Sequence, residues 1–199
     1  RFLPVRSRAN TVVVSPSAWR SNDTFTSTAS SLPPAVRAVI SPSAAWVVTT
    51  PAAMLQPLDL PNADLTWPAH CVPGTSGFEL LDGLPAPIDY DFFVWKGVEP
   101  DLHPYGACYH DLAERRSTGL IEFLQARGVS TVLVGGLATD YCVKTSVLQL
   151  RRAGLRVIVH LDACRGIAPE TVASAHTQMI EAGAELAQTL TDVQRLLDA

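Results

Sequence analysis

The chain has 199 residues, of which 47% are apolar and 17% charged, and its formal net charge is −4. A chain of this length and composition can bury a full core, which excludes a disordered protein. The sequence has no run of basic residues, which excludes a basic surface patch for binding nucleic acid. The longest apolar runs, such as "VSTVLVGGLA" and "LRVIVHL", are far shorter than the roughly 20 residues that span a bilayer. We therefore expect one compact domain with no nucleic-acid partner and no membrane span.

The N-terminal segment is rich in arginine and poor in acids. Arg1, Arg6 and Arg8 fall within the first ten residues, and no acidic residue precedes Asp23. This is the composition of a processed organellar transit peptide, although a polar tail fits it equally well. We predict an N-terminal extension over residues 1–10, a domain over residues 11–199, and a mitochondrial location with a cytoplasmic one as the alternative.

Short apolar runs rich in β-branched residues recur along the chain. Continuous rather than alternating hydrophobicity is typical of strands that are buried on both faces of a parallel sheet. The predicted strands cover residues 11–15, 46–50, 91–96, 130–136 and 155–162.

Helical patterns separate the later strands. Apolar residues recur at helical spacing over residues 117–129, 139–154 and 169–183, and a glycine closes each stretch. Residues 32–40 suggest a weak helix at most, and residues 51–90 read mainly as loops. Alternation of strands and helices predicts an α/β fold, a three-layer, doubly wound, Rossmann-like sheet that is mostly parallel and has helices on both faces.

One cysteine stands where an open α/β sheet places its chemistry. Cys142 follows a buried strand at the start of a predicted helix, where backbone N–H groups and the helix dipole stabilise a thiolate or an oxyanion. The other cysteines, Cys71, Cys108 and Cys164, lie far from it in sequence, with no C-x-x-C pair. This spacing indicates reduced thiols rather than a disulfide framework or a zinc knuckle.

Three motifs resemble one family of hydrolases. The segments "WPAHCVPGTSGFEL" at residue 67, "VWKGVEPDLHPYGACYHD" at residue 94 and "GLATDYCV" before "AGLRVIVHLDACRGI" are similar to motifs of the isochorismatase-like cysteine hydrolases, in the nicotinamidase branch. The similarity is strong over residues 67–183 and weak over the first 60.

The resemblance implies roles for specific residues. Members use an Asp–Lys–Cys triad that hydrolyses an amide through a thioester, so Cys142 matches the nucleophile and Lys96 the lysine. The N–H groups of Ala138 and Cys142 match the oxyanion hole, and the Leu137–Ala138 bond matches a cis peptide of the family. We expect the side chains of Trp67, Trp19 and Tyr141 to line the pocket.

The aspartate of that triad is missing. In the family it ends the first strand, and here Ser15 occupies its place, followed by Pro16. A shifted alignment puts Trp19 there instead, and neither residue supplies a carboxylate. A hydroxyl cannot replace a carboxylate as a proton shuttle at neutral pH, and general acid–base catalysis is worth about 10²–10⁴-fold.

The family's metal ligands are missing as well. Ala52 and Met54 stand at the Asp and His positions of a D-x-H pattern, and His70 alone of the four ligands persists. One imidazole cannot hold a zinc or iron ion of this type. We therefore predict no cofactor and no metal, with His70 as a packed core histidine, and this loss argues against pyridine carboxamides as substrates.

These losses lead to three hypotheses about function. The first is a catalytically inactive module with vestigial Cys142, Lys96 and Ser15, serving as an accessory subunit of a larger, mitochondrial protein assembly. Its partners would be the other subunits, as a homo- or hetero-oligomer. The second is an active cysteine amidohydrolase without a metal, with an acid from elsewhere such as Asp23. The third is a small-molecule or redox sensor built around Trp67 and Cys142.

Overall fold

The computed structural model describes residues 11–16, 37–42, 48–49, 54–60, 62–68, 70–71, 74–76, 78–80, 86–97, 99 and 102–199. For residues 11–16, 37–42, 48–49 and 87 the description covers the backbone alone. No helix in these ranges is long and apolar enough to cross a membrane. The predicted extension over residues 1–10, together with Trp19, Asp23 and Ala52, lies outside the described residues.

A six-stranded sheet organises the described chain. Its strands are β1 (Thr11–Pro16), β2 (Arg37–Pro42), β7 (Phe92–Lys96), β8 (Thr131–Leu137), β9 (Arg156–Arg165) and β10 (Glu185–Ala187). They lie in the order β10-β9-β8-β1-β2-β7, and every neighbouring pair is parallel. The α/β class and the parallel sheet that the sequence predicted are therefore confirmed.

The described part of the region predicted mainly as loops contains three short strands. They are β4 (Pro57–Leu60), β5 (Ala63–Leu65) and β6 (Trp67–Pro68), and a 3-10 turn follows at Pro87–Asp89, while β3 (Val48–Thr49) precedes the region. β3 pairs with β6 in parallel, and β4 pairs with β5 antiparallel. The β3–β6 pair holds Trp67, the predicted pocket residue, outside the large sheet.

The second strand of the large sheet is not the one that the sequence predicted. Residues 37–42 form β2 between β1 and β7, although the sequence suggested a weak helix there. Within the predicted strand at 46–50, the described residues Val48–Thr49 are extended and pair with β6 rather than with the large sheet. Pro33 and Pro34 resemble a helix start, but the β-branched residues that follow them suit a strand paired on both sides. That pairing is tertiary, so local pattern cannot reveal it.

Four helices flank the later strands: α1 (Leu120–Ala126), α2 (Lys144–Arg152), α3 (Pro169–Glu181) and α4 (Leu190–Leu197). Side chains of the first three join Val132 and Val134 of β8 in one buried cluster. Leu133, the β8 residue between them, packs in a second cluster with residues of α4. Because neighbouring strand residues point to opposite faces, α4 lies on the other face of the sheet from α1, α2 and α3.

Sequence reasoning missed the last strand and helix. Thr189 caps α4 in a capping box, in which its side chain accepts from the amide of Asp192 while Asp192 accepts from the amide of Thr189. The T-x-x-D pattern at residue 189 was the available signal. The predicted helix at 139–154 is also divided, because a π-helical turn, Thr139–Val143, precedes α2.

Candidate active site at the carboxyl edge of the sheet

The predicted lysine and cysteine follow strands that end at the same edge of the sheet. Lys96 is the last residue of β7, and Cys142 lies five residues beyond the end of β8. β8 lies beside β1, where the chain order of the strands reverses. Open α/β sheets bind ligands beyond the carboxyl ends of their strands at such a reversal. The fold therefore puts both residues where a site is expected.

Lys96 and Cys142 are in contact although 46 residues separate them in sequence. The Lys96 Nζ atom lies 3.5 Å from the Cys142 Sγ atom and donates a hydrogen bond of 3.1 Å to the Pro104 carbonyl. Lys96 is only 3% exposed, and no carboxylate among the described residues forms an ion pair with it. A buried ammonium stabilises negative charge on the adjacent sulfur or on an oxyanion that forms beside it.

The backbone turn that presents Cys142 begins with the Leu137–Ala138 peptide, which is cis, as the family resemblance implied. The amides of Tyr141 and Val143 both donate to the Ala138 carbonyl, each at 3.1 Å. A π-helical turn of this kind often marks a functional site. The oxyanion-hole roles of the Ala138 and Cys142 amides stay predictions.

Hydrogen bonds to Asp140 connect this turn to the start of α3. Its carboxylate accepts hydrogen bonds from the amides of Ile167 and Ala168 at 3.1 and 3.3 Å, and from the Thr171 hydroxyl at 2.5 Å. Asp140 is 2% exposed, so these bonds replace the water that a carboxylate otherwise needs. Sequence analysis missed this residue, whose signal was a charged side chain inside the otherwise apolar cysteine motif.

Ser146 joins the cysteine turn to the loop that follows Lys96. Its hydroxyl donates to the Cys142 carbonyl at 2.7 Å and accepts from the Ala107 amide at 3.0 Å. Because Pro104 of the same loop accepts the lysine hydrogen bond, the loop contacts both members of the predicted pair. This network holds the two side chains at a fixed separation.

Aromatic rings form one wall of the site. Trp67 and Tyr141, both predicted to line the pocket, meet edge to face with 4.8 Å between ring centroids, and Tyr105 lies 5.6 Å from Tyr141. The Trp67 indole N–H donates to the Tyr105 hydroxyl, which donates to Asp64 at 2.7 Å. Burial and that bond to Asp64 raise the pKa of Tyr105, so the ring is a neutral phenol at physiological pH.

The remaining predicted site residues are less well defined. The backbone of Ser15 lies near the end of β1, opposite Val39 of β2, and its side chain is outside the description. Met54 is half-buried.

The described residues do not fit a metal ion. His70 Nδ1 lies 2.8 Å from the Pro68 carbonyl, and the described residues contain no group of three His, Cys, Asp or Glu side chains that could hold an ion. With β2 at 37–42, the residues after the second strand of the sheet are "SAAWV" at 43–47 rather than those after residue 50. This segment also lacks carboxylates and histidines, so the corrected strand does not restore the missing ligands.

His103 is a site residue that sequence analysis missed. It is 7% exposed, its ring lies 5.2 Å from that of Tyr105, and no described residue is hydrogen-bonded to its Nδ1 atom. Burial, followed by the charge of Lys96, lowers the pKa of His103 to about 4, while Asp64 acts in the opposite direction. The imidazole is therefore neutral at physiological pH.

We expect His103 to make stability depend on pH. Its pKa is about 4 in the folded chain and about 6.5 in an unfolded one, so the unfolded state binds the extra proton first as pH falls. Stability present above pH 6.5 is lost toward pH 4, by about 2 kcal/mol between pH 7 and pH 4.5. Urea unfolding at the two pH values should show a shallower pH dependence for His103→Asn than for the wild type. Equal dependence in both proteins would contradict the expectation.

Native alkylation should select Cys142 among the four thiols. Cys142 is half-buried, whereas Cys71, Cys108 and Cys164 are buried. Burial raises the pKa of all three buried thiols, to about 12 for Cys108 and about 11 for Cys164. Because the exposed thiolate is the reactive form, iodoacetamide at pH 7.5 should modify Cys142 at least about tenfold faster, as measured by peptide mass mapping. Denatured protein is the control, and similar native rates at all four thiols would refute this expectation.

Comparison with known proteins gives the affiliation of the chain. A model of the Isochorismatase domain matches residues 44–191. A nicotinamidase of Escherichia coli K12 is 39% identical over 128 residues, which cover 63% of this chain and 59% of that protein. A nicotinamidase of Acinetobacter baylyi is 37% identical over 116 residues, which cover 56% of this chain and 53% of that protein. The chain thus spans between half and three fifths of the length of these two relatives.

Structural comparison supports the same fold. A nicotinamidase/pyrazinamidase of Acinetobacter baumanii superposes with a TM-score of 0.75 over 94% of this chain and 100% of that chain, at 23% identity. Identity at this level is evidence for the fold alone.

The first hypothesis about function, an inactive accessory subunit, is wrong on this comparison. The relatives at 32–39% identity are named as nicotinamidases or as a nicotinamidase/pyrazinamidase, which favours the active-enzyme hypothesis. The missing aspartate and metal ligands were not sufficient grounds for predicting inactivity, because the contact between Lys96 and Cys142 is retained. The family model matches most of the chain, and the chain therefore belongs to the isochorismatase-domain family.

Proposed function

We propose that this chain is a cysteine amidohydrolase that hydrolyses a small aromatic carboxamide, as the name nicotinamidase implies for its relatives. The observation that carries the proposal is the 3.5 Å contact between Lys96 Nζ and Cys142 Sγ at the carboxyl edge of the sheet. A buried cation beside a half-buried thiol is the arrangement that activates a cysteine nucleophile. The strand order of the sheet supports the three-layer, doubly wound architecture predicted from sequence.

The proposed reaction has two stages. Cys142 Sγ attacks the amide carbon and ammonia leaves, which forms a thioester. Water then attacks the thioester, releasing the carboxylic acid and the free thiol. Lys96 stabilises the negative charge in both stages, and we assign the Ala138 and Cys142 amides to the oxyanion.

The aromatic wall suits a flat substrate. Trp67 and Tyr141 lie at right angles to each other, and a flat aromatic ring packs favourably against either the face or the edge of another. The hydrogen bonds of Trp67 and Tyr105 run to each other and to Asp64. The rings of Trp67 and Tyr105 are thereby held in place before a substrate binds.

Proton transfer distinguishes this site from the triad of the family. With Ser15 at the aspartate's place, we assign the proton-carrying role to water. General acid–base catalysis contributes about 10²–10⁴-fold, so turnover should be slower than that of a complete triad by a factor within that range. No step passes through a metal, since the described donor set does not fit one.

Ammonia release from nicotinamide by the purified chain tests the proposal. We expect turnover above the rate without enzyme, and we expect a pyridine aldehyde, which adds reversibly to a thiol, to protect Cys142 from alkylation. Absence of turnover on nicotinamide, benzamide and pyrazinamide alike would overturn it. The mitochondrial location and self-association stay predictions.

A further inference from the structure

The cluster around Cys142 contains one buried polar atom with no partner among the described residues, the Nδ1 atom of His103. His103 is 7% exposed, and a polar atom buried to this extent is nearly always hydrogen-bonded, to protein, water or ligand. Four other polar side chains of the cluster have partners. Lys96 bonds to Pro104 and Cys142, Tyr105 to Asp64, Trp67 to Tyr105 and His70 to Pro68.

The backbone around His103 is fixed on both sides. The His103 amide donates to the Asn62 carbonyl at 3.2 Å, and the carbonyl of Pro104, the next residue, accepts from Lys96 at 3.1 Å. The imidazole also lies against the Tyr105 ring. The backbone of His103 is therefore held on the loop that contacts Lys96, and its ring packs against Tyr105.

The charges around His103 restrict what it can bind. Lys96 disfavours a second positive charge in the cluster, Asp64 and His70 are the other ionisable groups that act on the ring, and the imidazole is neutral at physiological pH. A neutral imidazole has one N–H donor and one acceptor nitrogen. When Nδ1 carries the proton, it can donate to an acceptor such as the ring nitrogen of a pyridine or a pyrazine.

We propose that His103 is the specificity-determining residue of the site and donates a hydrogen bond to a ring nitrogen of the aromatic carboxamide substrate. The inference rests on the proposed function for the identity of the substrate. It restores pyridine and pyrazine carboxamides as substrates of a site that lacks the family's metal ligands. A buried donor of this kind discriminates against a ligand of the same shape that lacks the acceptor, because the donor would then remain unpaired.

Paired ligands test the inference by binding, without turnover. Nicotinamide and benzamide have the same shape and differ in the ring nitrogen. Isothermal titration on Cys142→Ala should give a dissociation constant about 10–100-fold lower for nicotinamide. Adding His103→Ala should bring the two constants together. The matched control is His160→Ala, because His160 also has a buried nitrogen without a described partner but lies on β9, which three strands separate from β7.

Each outcome decides the inference. Equal affinities of Cys142→Ala for nicotinamide and benzamide would overturn the inference. This result needs no substitution at His103, so the inference stays testable even if His103→Ala folds poorly. Discrimination that survives His103→Ala, or that His160→Ala also removes, would overturn it as well. If binding discriminates between the two ligands through His103 but the wild type hydrolyses neither of them, the inference is supported and the proposed function fails. If the wild type hydrolyses both amides but binding does not discriminate between them, the proposed function is supported and the inference fails.

Discussion

Replacement of Cys142 by alanine is expected to abolish amide hydrolysis. In the proposed reaction the Cys142 sulfur forms the bond to the substrate carbon, and Lys96 contacts that sulfur at 3.5 Å. Residues of a catalytic unit act together, and loss of the nucleophile typically costs about 10⁴-fold or more in kcat. Ammonia release at saturating nicotinamide measures the effect.

Controls separate chemistry from folding in this variant. Cys164→Ala also removes one thiol, but Cys164 is buried on β9 and its pKa is raised by burial, so kcat should change little if the protein folds. Cys142 is half-buried and lies outside the two buried apolar clusters, so Cys142→Ala should unfold near the midpoint of the wild type. Residual turnover within tenfold of the wild type in a folded Cys142→Ala would refute the assignment of the nucleophile.

Replacement of Lys96 by methionine is expected to have the second-largest effect. Methionine keeps most of the volume of the side chain but removes the charge beside Cys142 Sγ and the hydrogen bond to the Pro104 carbonyl. Loss of one preorganised group that stabilises developing charge costs about 10²–10³-fold in kcat. Because no described carboxylate forms an ion pair with Lys96, the variant leaves no partner charge unpaired, and stability should fall less than activity.

The chain offers a control for Lys96→Met. Lys144 is the other lysine of the sequence and begins α2, and Lys144→Met makes the same chemical change near Cys142 in sequence. We expect kcat for Lys144→Met within a few-fold of the wild type. The rate of Cys142 alkylation gives a second readout, and it should fall in Lys96→Met alone. A similar loss of kcat in the two variants would indicate an effect of net charge rather than of the lysine contact.

Local sequence predicted the later strands and helices well. The strands that became β8 and β9 are continuous apolar runs, which are typical of strands buried on both faces of a sheet. β2 escaped prediction because six residues at 37–42 carry little pattern of their own, and their pairing with β1 and β7 decides their structure. The alignment of Ala52 and Met54 with the family's metal positions stays a prediction.

The sequence predicted only part of the site, because the rest of the site, like β2, depends on tertiary contacts. Motifs identified Lys96, Cys142, Trp67 and Tyr141, and the structure brings these residues to one region. Asp140, Ser146 and His103 were missed, because each acts through contacts with residues far away in sequence, and a single polar residue in a motif does not reveal its partners. The absence of a carboxylate at Ser15 was readable from the sequence, but the conclusion that the chain is inactive did not follow from it.

The sequence by itself determined the class of fold and the family resemblance, and it predicted the nucleophile and the lysine, because these depend on composition, periodicity and contiguous motifs. The tertiary structure alone decided that Lys96 and Cys142 touch, that Asp140 and Ser146 hold the cysteine turn, and that His103 is buried with a nitrogen that no described residue pairs. Distances and burial of this kind arise from packing between segments that are remote in the chain. They have no local sequence pattern, and in this protein they carry the functional proposals.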